Sequence, residues 1–593
     1  MIKGDKRKSE TDEETENSTK KPKPTDGKGN ISKDDSKSTF QKHPNNQTPT
    51  QKPDWNTLKK EKKELKIKRK QANKFYDVIV EAKKIFETLR QKQLKGGKDE
   101  RNELIDKLHG LFVGKGQYAK VIFAHDVARI VQFLFKFGNE RIRKEVADEL
   151  IPVTVDMLQS KYGRRCLKSM LMYGNSEIRS ASIQKMYGNA VKFTSHAISA
   201  AVFEYAYSTW ATPKHKQCLV QEFFGDIYKQ VKDAEVKHLR DVYQNSPNMK
   251  TAALQATKAN LSRVLNKDLL DSGIVQTVLY QYLSECSPDD KAELISQLAP
   301  HAVVISNSKD GAKAAMQCIW HGSNKDRKVI MKAIKEHVKD LSKHEHGHCT
   351  VIGLLDAVDD TVLLNKMILT PILSEINALA ADEHGRKVLL WLVAPADSTH
   401  FHPLFINELE EGRAASSSKK PLEQRRQELL NYTVFTLINE VISNTNFWMS
   451  SGSIAMLTLA IVKSAPIEHL QDALNEIAKV VVNTEWTVDK DDEKLLGIEH
   501  PGLHMILKKL IQHDKVFAEA EKPTFSSSLL NEISDETITK WLTINRGCFL
   551  FVALYENGTE ELQNLLKEKL QPRIKKIKST KSSGAKILLQ KLK

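Results

Sequence analysis

The chain is short of the features that define several common protein classes. Its 593 residues hold six cysteines (Cys166, Cys218, Cys286, Cys318, Cys349 and Cys548), scattered and without a Cys-x-x-Cys pair. That spacing excludes a disulfide framework or zinc knuckle and predicts buried thiols in a reducing compartment. No apolar run approaches the roughly 18 residues of a membrane helix, and the N-terminus has no signal-peptide core, so an intracellular, soluble chain is expected, with no membrane partner. Residues 1–54 offer only Met1, Ile2, Ile31 and Phe40 as clearly apolar side chains, too few to offset ordering entropy, which predicts a disordered tail. Strand alternation is nearly absent. No Ser/His/Asp set, carboxylate pair or cofactor loop stands out, and the expectation is a non-enzyme without a cofactor.

Three local patterns invite chemistry and are set aside. His344-x-His346-x-His348-Cys349 directly precedes a helix and reads as capping rather than as a metal site. Gly110-Leu111-Phe112-Val113-Gly114-Lys115-Gly116 has three residues between its glycines instead of four, and lacks Ser/Thr after the lysine, so it is not a phosphate loop. Cys166 lies beside two arginines without a placed histidine, and reads as a core thiol. Trp210, Trp320, Trp391 and Trp541 read as fillers between helices.

Acidic residues are in deficit. There are 91 Lys and Arg against 75 Asp and Glu, a net charge of +16 and a pI near 9.2, which points to a polyanionic partner. Part of that charge is local: Lys20-Lys21-Pro22-Lys23-Pro24 is a cluster of the kind import receptors read. In Lys59 to Lys70, eight of twelve residues are Lys or Arg, with no helix breaker. A basic helical arm over residues 55–95 follows, with Lys59, Lys60, Lys62, Lys63, Arg69 and Lys70 as candidate phosphate contacts.

Beyond Gly96-Gly97 a repeat emerges. Phe137-Gly138-Asn139-Glu140-Arg141-Ile142-Arg143 and Tyr173-Gly174-Asn175-Ser176-Glu177-Ile178-Arg179 say nearly the same thing thirty-six residues apart. Val127, in His125-Asp126-Val127-Ala128-Arg129, stands thirty-six residues before Gly163, in Ser160-Lys161-Tyr162-Gly163-Arg164-Arg165-Cys166. Two landmarks sharing one period mark a helical repeat. Further copies fall at Ala197, Gly273, Gly311, Gly347 and Gly385, at intervals of 34, 76, 38, 36 and 38. The 76 suggests a degenerate copy hidden between Phe203 and Asp268. Gly452, Gly502 and Gly547 follow more loosely, with polar inserts over 411–421 and 484–493 read as surface loops. The fold predicted is an all-α solenoid, with sub-arrays over 102–270 and 271–572 and a basic tail over 573–593.

The motif Tyr162-Gly163-x-x-x-Leu167-x-x-x-Leu171 resembles the second helix of a Pumilio (Puf) repeat. The Asp54-Trp55 lysine-rich helix, the opening repeat Gly114-Lys115-Gly116 to His125-Asp126-x-x-Arg129-x-x-Gln132, and the extension past Gly385 resemble the divergent nucleolar branch, the Puf-A or Pumilio-homologue-3 type. The resemblance covers residue 54 to the end. It implies a right-handed superhelix of about eleven repeats in an L shape. It also implies binding of structured RNA or DNA with little sequence preference, and a role in large-subunit ribosome assembly.

The resemblance assigns base contact to the first, second and fifth residues after the landmark. The first and fifth are Ala128/Gln132, Arg164/Lys168, Ile198/Val202, Ile274/Val278, Ala312/Met316, His348/Ile352, Arg386/Leu390, Ser453/Leu457, Leu503/Leu507 and Cys548/Val552. Five pairs have no strong hydrogen-bonding side chain, and an apolar pair reports no base edge. Charge remains at Arg129, Arg164, Arg165, Lys168, Lys313, Arg386 and Lys387, on the family's concave face, where it would meet phosphates. The expected function is therefore a monomeric, nucleolar and nucleoplasmic protein that holds precursor rRNA alongside pre-ribosomal assembly factors. An mRNA-binding translational repressor is the rival reading, a helical protein scaffold is the rival from another class, and duplex DNA is a further polyanion to test.

Overall fold

The computed structural model describes residues 55–71, 74–91, 94, 96–114, 116–490 and 493–592. The expected tail, its Lys20–Pro24 cluster and Asp54 lie outside them. The described residues belong to two units, Met1–Asn73 and Lys74–Lys593. In the first, Trp55–Gln71 is a single helix; Lys59, Lys60, Lys62 and Lys63 are exposed along it, and Arg69 and Lys70 fall in its last turn. The basic arm ends there rather than at residue 95. The next helix, Tyr76–Leu89, has an apolar stripe and buries Ala82, Ile85 and Leu89 within the second unit.

That unit is a stack of helices. Among the described residues, eleven inner helices follow one another, each touching the next, and begin at His125, Gly163, Ala200, Gly273, Lys309, Gly347, Glu383, Gly452, Pro501, Asn545 and Ser583. The repeated landmark has a steric cause. At Gly163, Gly311, Gly347, Gly385 and Gly547 the inner helix starts directly over the end of the short helix before it, six residues upstream. A Cβ on Gly311 would lie 1.9 Å from the Ile305 carbonyl oxygen, and one on Gly547 2.4 Å from that of Trp541. Only glycine lets the two backbones meet at that distance.

The second landmark is a cap. Asn139 and Asn175 accept hydrogen bonds from Ile142 N and Ile178 N at 2.9 and 3.0 Å and start the next helix. Four residues after each asparagine comes an arginine that closes the inner helix behind it. Arg179 donates to Leu171 and Met172 carbonyls at 2.8 and 3.1 Å, and Arg143 to the Lys136 carbonyl at 3.2 Å. Arg327, 2 % exposed, repeats the device on Ile319 and Trp320. These cations neutralise helix C-termini. Between the layers the apolar stripes close up: the Gly163–Tyr173 helix buries Cys166, Leu167, Met170 and Leu171. Full burial of each leucine contributes about 2 kcal/mol.

Several expectations need correction. At Ala197 the inner helix begins three residues later, at Ala200, and runs into a π-helical turn, Ala206–Trp210. No inner helix intervenes before Gly273. Ser272 Oγ donates to Glu204 Oε2 at 2.7 Å, and a Cβ on Gly273 would meet Glu204 and Tyr207, so the Ala200 and Gly273 helices are direct neighbours. The intervening residues instead enlarge the outer layer, chiefly as the Lys250–Leu265 helix. The first polar insert begins as the end of a helix, Pro403–Ala414. The second forms a β-hairpin, Thr487–Lys490 with Glu493–Leu496, in register Thr487 to Leu496. The basic tail is folded too. Ile574–Ser579 and Ser583–Lys591 are helices, and Ile577, Ala585 and Leu588 are buried. Its lysines alternate with a buried apolar stripe, a packing that composition alone does not reveal. Among the described residues no helix is long and apolar enough to cross a membrane.

Candidate nucleic-acid interface

The inner helices place the predicted base-reading positions mostly indoors. Ile274 and Val278 are fully buried, as are Leu457, Leu503 and Cys548, and Ala312 and Met316 are at most 3 % exposed. These side chains fill the seams between neighbouring inner helices. The one polar pair that approached a base-reading set is also turned inward. Ala128 is buried, and Gln132 Nε2 donates to the Ala128 carbonyl at 3.0 Å, the same oxygen that takes the Cys166 thiol at 3.1 Å. Burial pushes that thiol up to about 12, against the direction its arginine neighbours would give it.

The basic positions divide into free and engaged. Arg129 and Arg165 are exposed on adjacent inner helices, and neither guanidinium has a partner among the described residues. Lys168 is exposed with its ammonium 5.0 Å from the Tyr205 ring centroid, on the next inner helix. Arg164 is half-buried, and its Nη1 donates to the Ile198 carbonyl at 2.7 Å, tying one repeat to the next. Arg386 likewise donates to Ala380 and Ala381 carbonyls at 2.8 and 3.0 Å. Lys387 faces Glu383 one turn back at 3.4 Å.

Lys313 is covered. The Pro403–Ala414 helix lies against the Lys309–His321 and Gly347–Ala357 helices, and its Glu408 pairs with Lys313 at 3.0 Å. Gly412 sits on the Trp320 ring so closely that a Cβ would be 2.1 Å from Cε2. Arg413 donates to both oxygens of the buried Asp356 at 2.7 Å. An acidic helix thus occupies the space beside this lysine.

What the first repeats present is a short cationic strip with aromatic edges. His125 meets Tyr162 edge-on at 5.2 Å, Lys161 lies 5.8 Å from the same ring, and Tyr205 stands edge-on to Trp210. Half-exposed rings beside unpaired cations can stack bases while the cations take phosphates, without a base-edge code. Sequence reading missed the tyrosines, because Tyr162 precedes the landmark glycine and Tyr205 lies on the displaced third helix.

The patterns set aside have structural uses. The amides of Gly114 and Tyr118 donate to the two Glu149 oxygens at 2.8 and 3.0 Å, so a carboxylate already fills that loop. His344 Nδ1 accepts from His346 N and Gly347 N at 3.2 and 3.1 Å, as a cap, and His348 stacks on His384 at 4.8 Å. Trp320, Trp391 and Trp541 are buried, and Trp210 carries the Arg179 guanidinium 3.7 Å over its ring.

Stacked inner helices, glycine crossings and asparagine caps define a helical solenoid of Puf-type repeats. Its chain is 32 % identical to Pumilio homolog 3 of Homo sapiens over 92 % of its own length and 84 % of the relative's. It is 31 % identical to Protein penguin of Drosophila melanogaster, over 91 % and 85 %. The crystal structure of human Puf-A in complex with DNA superposes with a TM-score of 0.78 at 29 % identity, covering 87 % of this chain and all of that one. Residues 381–523 match the CPL (NUC119) domain family. The chain belongs to the Pumilio homolog 3 (Puf-A) family.

Proposed function

We propose that this chain is a non-catalytic RNA-binding protein that grips backbone phosphates with little regard to sequence, and that its RNA is precursor rRNA of the large ribosomal subunit. The carrying observation is a contrast within the first repeats: Ala128, Gln132 and Arg164, at first and fifth positions, are buried or bonded to backbone carbonyls, whereas Arg129, Arg165 and Lys168 are exposed and unneutralised by carboxylates. Such a surface takes phosphates and stacks bases but does not read them. The human relative's crystal complex with DNA supports a polyanion on this fold. Duplex DNA is then a competitor rather than a separate function. In this reading the protein acts as a monomer in the nucleolus and nucleoplasm, holding the RNA among assembly factors until processing enzymes act.

Crosslinking in cells followed by sequencing of the attached RNA tests it. Reads concentrated in precursor rRNA, with precursors accumulating on depletion, are expected. Reads spread over messenger 3′ regions would instead identify a translational repressor, and an absence of crosslinked RNA would leave a protein scaffold.

A further inference from the structure

One cleft lies apart from every cation described above. It has a volume of about 570 Å³ and is bounded by the Gly452–Ser464 helix, the Pro501–Glu519 helix and the chain leaving the Glu383–Val393 helix. Lys463, Lys509, His400 and His513 line it, with Met456 and Leu459 as an apolar wall. Neither ammonium has a carboxylate partner among the described residues. The cleft's one carboxylate, Asp397, is already engaged. Its Oδ1 accepts from Thr399 N and Oγ1 at 2.8 and 2.7 Å, and its Oδ2 is 3.9 Å from His400 Nε2.

His400 lines the cleft with a side chain only 9 % exposed. The local field is cationic. Burial first, and then Lys509 and Lys463, hold the His400 imidazole below its ordinary range, with Asp397 acting against them. Burial and then Lys463 do the same to His513. Two unpaired ammonium groups around an open cleft are donors waiting for a multivalent anion. A tetrahedral phosphate has oxygens enough for both, and the Met456–Leu459 wall suits the sugar attached to it.

We infer that this cleft is a phosphate site, filled by a backbone phosphate of the nucleic acid whose other phosphates meet Arg129 and Arg165. The inference rests on the proposed function for the source of the phosphate; the site itself rests on the cleft. Its recognition set lies outside the landmark triplets: Lys463 is eleven residues past Gly452, and Lys509 seven past Gly502. The cleft also lies within the span matched by the CPL family.

The test uses the full chain with Lys463→Gln and Lys509→Gln combined, and Lys328→Gln as an exposed control. A labelled single-stranded RNA is titrated by fluorescence anisotropy across salt, and inorganic pyrophosphate is titrated by calorimetry, with melting curves checking the fold. Loss of two phosphate contacts lowers affinity about fifteenfold near 0.15 M salt and flattens the log–log salt slope by about 1.4. That result, absent in Lys328→Gln, supports the inference. Pyrophosphate binding that the double variant abolishes, with RNA affinity unchanged, keeps the phosphate site but assigns it a soluble phosphate compound. Wild-type protein that binds RNA while the double variant matches it for both ligands overturns the inference. Wild-type protein that binds no RNA overturns the proposed function instead, and pyrophosphate then decides the cleft alone: no heat of binding refutes it.

Discussion

Arg164 and Arg165 are adjacent in sequence, and the structure assigns them opposite work. The Arg165 guanidinium is free in solvent, as is that of Arg129 one repeat earlier, whereas Arg164 is hydrogen-bonded to the Ile198 carbonyl at 2.7 Å. On the proposed reading, replacing Arg129 and Arg165 together with glutamine removes two phosphate contacts and nothing from the fold. For a single strand each contact contributes about 0.7 to the log–log salt slope, so the pair accounts for about 1.4 and about fifteenfold in affinity near 0.15 M salt. Arg164→Ala instead removes a partly buried, charge-assisted bond between repeats and destabilises by about 1–2 kcal/mol. The assay is fluorescence anisotropy of a labelled RNA strand from 0.05 to 0.3 M salt, beside thermal melts of the same samples. Weakened binding with an unchanged melt is expected for the double variant, and a lowered melt with little loss of affinity for Arg164→Ala. A double variant that binds like wild type with the same slope would falsify the phosphate reading of the first repeats, and an unaltered melt in Arg164→Ala would remove the inter-repeat tie.

Three further outcomes follow from particular contacts. Glu408→Gln leaves Lys313 unneutralised, and the salt slope should steepen by about 0.7 if that ammonium then reaches a phosphate; a slope identical to wild type means the Pro403–Ala414 helix bars access by its bulk. Gly311→Ala forces a Cβ into the Ile305 carbonyl and should cost about 3 kcal/mol, visible in denaturant midpoints, whereas a midpoint within error of wild type would show that the crossing relaxes freely. Burial holds the His348 imidazole down at about 4. Its contribution to stability is complete above the unfolded value of about 6.5 and is lost as pH falls toward 4, amounting to about 2 kcal/mol by pH 5. The melting temperature of wild type should therefore drop more steeply between pH 7.5 and 5 than that of His348→Gln, and parallel pH profiles would refute the assignment.

The repeat was legible because its cause is local. A crossing six residues upstream demands glycine, and a turn demands asparagine, so both leave marks at a fixed period. Where Ala197 stands for the glycine, the helix starts three residues later, at Ala200, which no count of residues would have placed. The seventy-six-residue interval before Gly273 matches two periods, and spacing cannot tell a hidden repeat from a thickened outer layer. What separates them is the contact of Ser272 and Gly273 with Glu204, a meeting of residues far apart in the chain. The candidate interface was legible by charge and illegible by partner. Arg129, Arg165, Lys313 and Arg386 look alike in sequence, yet a glutamate from an inserted helix holds one and backbone carbonyls hold another.

The folded end of the chain bears on how the protein is made. The Ser583–Lys591 helix covers one flank of the Asn545–Asn557 helix: Gly584 N donates to Asn545 Oδ1 at 2.8 Å, and a Cβ on Gly584 would sit 2.9 Å from that of Cys548. Repeat arrays add stability neighbour by neighbour and need their ends sealed, and chains of this size fold from the N-terminus during synthesis. The Asn545–Asn557 helix therefore waits, with one flank open, until residues 583–591 have left the ribosome. A product that stops early never receives its lid, and cellular quality control meets an apolar surface at its growing end rather than a finished molecule.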